Sequence, residues 1–147
     1  MPTAPRLVAF VAFALVAYVA TGYYIPELPE GTKTRYFAEM NAAIGGIVGW
    51  RVMGTMVGQG YGRALTIGFR TICTLVFYAL LVHGVIQMIK GAMKHYYEGP
   101  GDAVIGLGEL ILNYGQLVVT SVPVLTVLAV GGAISALITE WTSARWN

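Results

Sequence analysis

Long apolar runs with few charged residues are the feature that most constrains the fold of this chain. The first runs from Leu7 to Tyr24 and is followed by Ile25-Pro26, where proline stops a helix. A membrane-spanning helix needs about 20 predominantly apolar residues, so this run is long enough to cross a hydrocarbon core. Only 11% of the residues are charged, against about 25% in an average soluble domain. The sequence therefore predicts an all-α membrane protein and argues against a soluble globular domain.

Similar runs recur along the chain and predict a single polytopic membrane domain over residues 1–147. Four spans are expected, at about 7–24, 38–56, 64–89 and 122–141. The first run is at the long end for a signal peptide and has a poor cleavage context, so we expect it to remain as an anchor. Thr120-Ser121 and Pro123 are typical of a helix N-terminus, which places the start of the last span near residue 122.

The segment from 102 to 120 is open to two interpretations. Glu109, Asn113 and Gln116 follow a spacing of four and then three residues, so they share one face of a helix whose other face is apolar. Such a segment is either an amphipathic helix in the membrane interface or a fifth span with its polar face turned inward. One helix from 103 to 141 would be about 58 Å long, which exceeds a hydrocarbon core of about 30 Å. We therefore expect a break near residues 121–123, and we favour four spans.

The distribution of basic residues gives a weak indication of orientation. With four spans, five arginines lie on the side of the N-terminus: Arg6, Arg51, Arg63, Arg70 and Arg145. Four basic residues lie on the other side: Lys33, Arg35, Lys90 and Lys94. The positive-inside rule then favours a cytoplasmic N-terminus. Five spans would export the C-terminus.

Small residues mark two faces that allow close approach between helices. The second span carries Gly45 and Gly49, and the last span carries two further pairs: Gly131 with Ser135, and Gly132 with Ala136. Small residues at four-residue spacing allow helix backbones to pack closely in lipid. These faces serve either packing within the chain or docking of a partner protein or a second copy.

Polar residues in two neighbouring segments are the main candidates for a functional path. His83 and Gln87 lie on one face of the third span, and Glu109, Asn113 and Gln116 follow after a short connection. A carboxylate in the membrane is costly unless it is paired or neutralised. The two sets therefore pair structurally, or the second set faces water from an interfacial helix, or together they form a path for a proton or an ion.

Three arginines form a separate group on the side of the N-terminus. Arg51, Arg63 and Arg70 are candidates for contacts with an oxyanion or a lipid headgroup, because a guanidinium binds such groups through two donors. The simpler interpretation is that they hold helix ends at an anionic membrane surface.

Several classes of function are excluded or disfavoured by composition. The single cysteine, Cys73, excludes an internal disulfide and a Cys-rich metal site. Nine basic and seven acidic residues give a net charge of +2, too small to indicate nucleic-acid binding. Catalytic triads, paired catalytic carboxylates and phosphate loops do not stand out. We therefore expect no enzymatic activity, no cofactor and no bound metal.

Fragments spread over nearly the whole chain resemble the TrgA family of small membrane proteins linked to tellurite resistance. The most specific fragment is Gly49-Trp50-Arg51-Val52-Met53-Gly54. The others are Met1-Pro2-Thr3-Ala4, Pro29-Glu30-Gly31-Thr32, Gly60-Tyr61, Tyr97-Glu98-Gly99-Pro100, Tyr114-Gly115, Thr139-Glu140-Trp141 and Arg145-Trp146. The resemblance implies a bacterial inner-membrane location and a role in tolerance to tellurite, and it supplies no catalytic residues.

Three functions follow as hypotheses. The leading one is a non-enzymatic membrane protein of the tellurite-resistance type, in contact with membrane lipids. The alternative is an accessory transmembrane subunit of a larger photosynthetic or respiratory complex, because small-residue faces and aromatic belts suit both a partner and self-association. A weaker alternative is a small ion or oxyanion transporter that uses His83 and Glu109.

Overall fold

The structure, a computed structural model, describes residues 3–146, and this range contains five α-helices and no strand. The helices are α1 (Ala4–Tyr24), α2 (Phe37–Val48), α3 (Tyr61–Met93), α4 (Pro100–Thr120) and α5 (Val122–Trp146). A 3₁₀ turn over Ile25–Glu27 follows α1, and a π-helical turn over Gly49–Met53 continues α2. The all-α architecture predicted from the apolar runs is confirmed.

Four of the described helical segments are long and apolar enough to cross a membrane. They are Ala4–Glu27, Tyr61–Met93, Pro100–Thr120 and Val122–Trp146. The predicted second span, at about 38–56, is a shorter helix from residue 37 to 53, about 25 Å long at 1.5 Å per residue. The segment predicted to be amphipathic, 102–120, is a helix that also has the length of a span. A multi-pass membrane protein is the architecture that these lengths support.

The two helices α4 and α5 run in the same direction along α3, one after the other. Gly84 of α3 lies against Leu107 and Ile111 of α4, whereas Ile72, lower on α3, lies against Gly132 of α5. Ser121 separates the two helices in an extended conformation, which is the break that the sequence predicts near residues 121–123. The pair therefore returns along α3 as a broken helix, and the chain does not reverse direction between α4 and α5.

Close backbone contacts hold α1 and α2 together in antiparallel orientation. A Cβ added to Gly45 would lie 2.6 Å from the carbonyl oxygen of Phe13, and one added to Gly49 would lie 2.6 Å from that of Ala9. Real side chains do not tolerate such distances, so glycine is required at both positions. The two helices thus approach as closely as small residues allow in lipid.

The π-helical turn explains why the fragment Gly49-Trp50-Arg51-Val52-Met53-Gly54 begins and ends with glycine. The amide of Gly54 donates to the carbonyl oxygen of Gly49 at 2.8 Å, a bond that spans five residues instead of four. Met53 is fully buried, and a Cβ on Gly54 would lie 2.9 Å from the Cα of Arg6. The two glycines of this fragment are therefore needed where α2 and its turn meet α1.

The bundle has two ends, which we name after residues that lie there. The Arg6 end carries the start of α1, the loop after Gly54 and the end of α5, while the His83 end carries Tyr24, the start of α2 and the break before α5. At the His83 end, Ser121 donates a hydrogen bond to the Glu27 carboxylate at 2.7 Å. The last turns of α3, residues 84–93, and the first turns of α4 form a hairpin that extends about 15 Å beyond this end.

A buried carboxylate fastens the loop at the Arg6 end. Both oxygens of Glu140 accept backbone hydrogen bonds, from Gly58 at 2.9 Å and from Gly60 at 2.7 Å. Both glycines have positive φ angles, +87° and +93°, which other residues rarely adopt. The loop between α2 and α3 is therefore folded onto α5 by one side chain that is only 5% exposed.

Candidate functional site

A chain of buried hydrogen bonds links three helices near the His83 end. The Nδ2 group of Asn41 donates to Thr21 Oγ1 at 2.9 Å, and the Thr21 hydroxyl donates to the carbonyl oxygen of Ala17 at 2.7 Å. Asn41 Oδ1 lies 2.7 Å from His83 Nε2. Because an amide oxygen only accepts, this bond requires the proton on Nε2. Asn41 of α2 thus forms hydrogen bonds with α1 and α3 at the same time.

Aromatic rings cover this network. The ring of Phe37 stacks on His83 with centroids 3.8 Å apart and planes 12° apart, and Tyr24 stacks on Phe37 at 6.3 Å. The Tyr24 hydroxyl donates to the carbonyl oxygen of Tyr114 at 3.1 Å, which ties α4 to α1. The first residue of α2 therefore fixes the orientation of the imidazole ring.

The cavity on the bundle side of this network is small. Its volume is about 60 Å³, and its walls are mostly apolar, with Leu75, Val124 and Leu128 among them. Asn41 and His83 line its polar side. A water molecule occupies about 30 Å³ in the liquid, so this space suits a few waters. No buried polar side chain within residues 3–146 lacks a hydrogen-bond partner.

A larger cleft opens on the other face of His83. Its volume is about 320 Å³, and three cationic side chains line it: Lys33, Arg35 and Lys90. Gln87 and His83 contribute further polar groups. We call this the cationic cleft. The connection between α1 and α2 supplies Lys33 and Arg35, and α3 supplies His83, Gln87 and Lys90.

A second cavity of about 640 Å³ shares four lining residues with the cationic cleft: Lys33, Gln87, Lys90 and Tyr114. It adds Lys94 and the phenol groups of Tyr96 and Tyr97. The ring of Tyr97 lies between Gly91 and Gly106, where added Cβ atoms would approach it to 2.9 and 2.6 Å. These two glycines therefore admit the tyrosine that closes the α3–α4 hairpin.

The polar pairing predicted between α3 and α4 does not form. His83 pairs with Asn41 instead, and Gln87 faces the cationic cleft. Glu109, Asn113 and Gln116 are exposed on the side of α4 that faces away from α3. The reason is that an apolar side of α4, with Leu107 and Ile111, packs on Gly84. The structure therefore does not bring together the residues of the predicted proton or ion path.

The three arginines of the predicted anion site are exposed and do not line one cavity. Arg51 lies beside Trp50 in a shallow pocket against α1, and Arg63 donates to the Gln59 side chain at 3.1 Å. Arg70 lies 4.0 Å from the sulfur of Met56. The largest cluster of cations around a cavity lies at the opposite end of the bundle.

The predicted small-residue faces serve packing within the chain. A Cβ on Gly131 would lie 2.9 Å from Val16, one on Gly132 would lie 2.6 Å from Ile72, and one on Gly68 would lie 2.6 Å from Ala136. Ser135 is buried and accepts a hydrogen bond from Thr139 through its carbonyl oxygen. Together with Gly45 and Gly49, these residues are covered by neighbouring helices of the same chain. The interpretation as packing residues therefore explains them without a partner.

Sequence reasoning overlooked the residues that organise this region. Asn41 and Thr21 carry no motif, and only the membrane setting marks a polar side chain there as one that needs a partner. In the sequence, Lys33 and Arg35 bear only on the orientation of the chain. Their position after Pro29 on a short connection was the available signal that they return toward α3.

Comparison with known protein families, with curated proteins and with solved structures finds no match to this chain. The resemblance to the TrgA family therefore remains a hypothesis from the quoted fragments. Of these fragments, Met1 and Pro2 lie outside the described residues.

Proposed function

We propose that this chain is a non-enzymatic integral membrane protein of the tellurite-resistance type that acts at the membrane surface and does not conduct ions. The observation that supports the absence of ion conduction is the close packing of the bundle. Gly45 on α2 meets the backbone of Phe13, and Gly132 on α5 meets the side chain of Ile72. At these two contacts the helices leave no space for a hydrated ion.

The buried polar groups support the same proposal. Thr21, Asn41 and His83 satisfy one another, and Leu75 and Leu128 lie on the bundle side of them. An ion that crosses a membrane needs polar groups or water in place of its hydration shell, because an ion in an apolar setting is unstable. The network occupies only the His83 end, so its role is to hold three helices in place.

The test compares tolerance with transport. We expect expression of the chain in a tellurite-sensitive bacterial host to raise the tellurite concentration that stops growth. Proteoliposomes that contain the purified chain should show the same tellurite and proton fluxes as empty liposomes. No gain in tolerance at verified membrane abundance would contradict the assignment to tolerance, and a protein-dependent flux would contradict the surface mechanism.

A second candidate function, an accessory subunit of a larger membrane complex, is favoured by the exposure of α4. This helix has the length of a span, yet none of its residues is buried. Its exposed side carries Val104, Leu112 and Val119 next to the polar residues Glu109 and Asn113. An uncovered helix face of mixed character is typical of an interface in a membrane complex.

Purification through a terminal tag in mild detergent separates the two candidates. Stoichiometric recovery with a large redox or light-harvesting complex on a native gel would favour the accessory subunit. Recovery as a small homogeneous species would favour the autonomous tolerance protein.

A further inference from the structure

Four cationic side chains line the joined cavities at the His83 end, without a carboxylate among the lining residues. Lys33, Arg35 and Lys90 line the cationic cleft, and Lys94 lines the cavity that continues from it. Neither cavity has an aspartate or glutamate in its wall. All four side chains are exposed, so solvent screens their mutual repulsion, but their shared positive charge favours an anion over a cation in these cavities.

The acidic residues nearby in sequence have other neighbours. The Asp102 carboxylate accepts a hydrogen bond from the backbone amide of Glu98 at 3.2 Å, and that of Glu27 accepts one from Ser121. The guanidinium of Arg35 lies over the ring of Tyr36, 5.3 Å from its centroid, which leaves its donors available. In the part of the chain that the structure describes, none of the four cations forms an ion pair.

Neutral donors accompany the cations. Gln87 and Tyr114 line both cavities, and the rings of Tyr96 and Tyr97 line the outer one. Amide, phenol and guanidinium groups donate hydrogen bonds, and ammonium groups add charge, which together is the set of groups that binds phosphate and similar oxyanions. A metal cation would need carboxylates in the wall. An acidic peptide would need a larger complementary surface.

We propose that these joined cavities bind a phosphate-class oxyanion, either as a free ion or as the headgroup of an anionic lipid. This inference rests on the proposed function in that it names the ligand class for a protein acting at the membrane surface. The two sources share one chemistry, a compact multiply charged oxygen anion. The wall of the cationic cleft also contains Met40 and Ile86, which suit the apolar part of a lipid.

The experiment measures binding of two probes to the purified full-length chain. The first is inorganic phosphate, titrated calorimetrically at constant ionic strength because salt screens exposed charges. The second is phosphatidic acid, offered to the chain in phosphatidylcholine vesicles with or without this lipid. The chain is then transferred from the vesicles to nanodiscs, and the phosphatidic acid that co-purifies with it is measured. The variants are Lys33→Gln combined with Lys90→Gln, and a control with Arg63→Gln and Arg70→Gln that removes the same charge at the other end.

We expect the cleft variant to bind at least one probe about tenfold more weakly, since it lacks two charge-assisted contacts, and the control to bind within about twofold of the unmodified chain. Phosphate binding alone would assign a free oxyanion, and enrichment of phosphatidic acid alone would assign a lipid headgroup. Equal binding by both variants, or binding of neither probe by the unmodified chain, would overturn the proposal.

The outcome is separable from that of the tolerance assay. Loss of binding in the cleft variant with unchanged tolerance would uphold the binding site and contradict its role in the proposed function. Tolerance conferred by a chain that binds neither probe would uphold the proposed function and contradict the binding site. Circular dichroism and thermal unfolding of both variants show whether each retains the helical fold.

Discussion

His83 Nε2 and Asn41 Oδ1 lie 2.7 Å apart, although 42 residues separate them in the chain. This bond fixes the level at which α2 and α3 meet, and the bond from Asn41 to Thr21 adds α1 to the same level. One face of His83 carries Phe37, and the cationic cleft opens beside it. The packing of the bundle and the geometry of the cleft therefore depend on the same residues.

Replacement of Asn41 by leucine should destabilise the fold strongly. The change leaves the Nε2–H group of His83 without an acceptor, which costs about 1–3 kcal/mol for a buried group. It also removes the hydrogen bond that the Thr21 hydroxyl accepts, although this hydroxyl still donates to Ala17. We expect the free energy of unfolding in detergent to fall by about 2–5 kcal/mol. The matched control is Asn113→Leu on the exposed side of α4, for which we expect little change. Equal effects of the two variants would show that the network is not stabilising.

Replacement of Glu140 by alanine should release the loop between α2 and α3. The carboxylate accepts hydrogen bonds from the amides of Gly58 and Gly60, so both amides lose their acceptor. Hydrogen bonds to a charged group contribute about 1.5–3 kcal/mol each, and we expect amide hydrogen exchange at these two glycines to accelerate at least tenfold. Glu109→Ala removes the same group from an exposed position and serves as the control. Unchanged exchange in the Glu140 variant would refute this role.

Addition of one methyl group at Gly45 should disrupt the contact between α1 and α2. Its Cβ would lie 2.6 Å from the Phe13 carbonyl oxygen and 2.7 Å from the Cβ of Ala17, so the helices must separate. Overpacking of this kind costs about 1–3 kcal/mol or more. Gly108→Ala is the matched change, since nothing lies within 4 Å of its added Cβ, and it should be neutral or stabilising because alanine favours helix. Thermal unfolding of both variants provides the comparison.

Labelling of single cysteines should place the two ends of the bundle on opposite sides of the membrane. In a Cys73→Ser background, an impermeant thiol reagent should reach Gln59→Cys and Arg145→Cys from one side and Lys94→Cys from the other. The reason is that α3 crosses once and that α4 and α5 together return once. Labelling of Arg145→Cys from the same side as Lys94→Cys would instead indicate the arrangement with five spans.

The register of α4 against α3 could be predicted from the sequence, but its rotation could not. His83 lies six residues before the predicted end of the third span at 89, and Glu109 lies six residues after 103, so a hairpin places them at similar depth. Gly84 indeed lies against Leu107 and Ile111. Rotation depends on which face packs better, and Gly84 accepts apolar side chains at close range. The polar residues of α4 consequently face away from α3. The periodicity of the sequence alone allows either orientation.

Glycine positions were easier to interpret than polar ones. Close packing requires small residues at fixed spacing, so Gly45, Gly49 and Gly132 identify helix contacts from the sequence alone. A buried hydrogen bond depends on three-dimensional position, and Asn41 has no partner within its own helix that would reveal His83. The cationic cleft was not predicted for the same reason, since Lys33 and Arg35 come from the connection between α1 and α2 whereas Lys90 comes from α3.

The most direct test of this account compares tellurite tolerance in two double variants expressed at equal membrane abundance. One carries Lys33→Gln and Lys90→Gln in the cationic cleft, and the other carries Arg63→Gln and Arg70→Gln at the Arg6 end. The account predicts that the cleft variant loses tolerance and that the arginine variant retains it. Full tolerance in the cleft variant, or sensitivity confined to the arginine variant, would contradict the claim that the protein acts through the cleft at the His83 end.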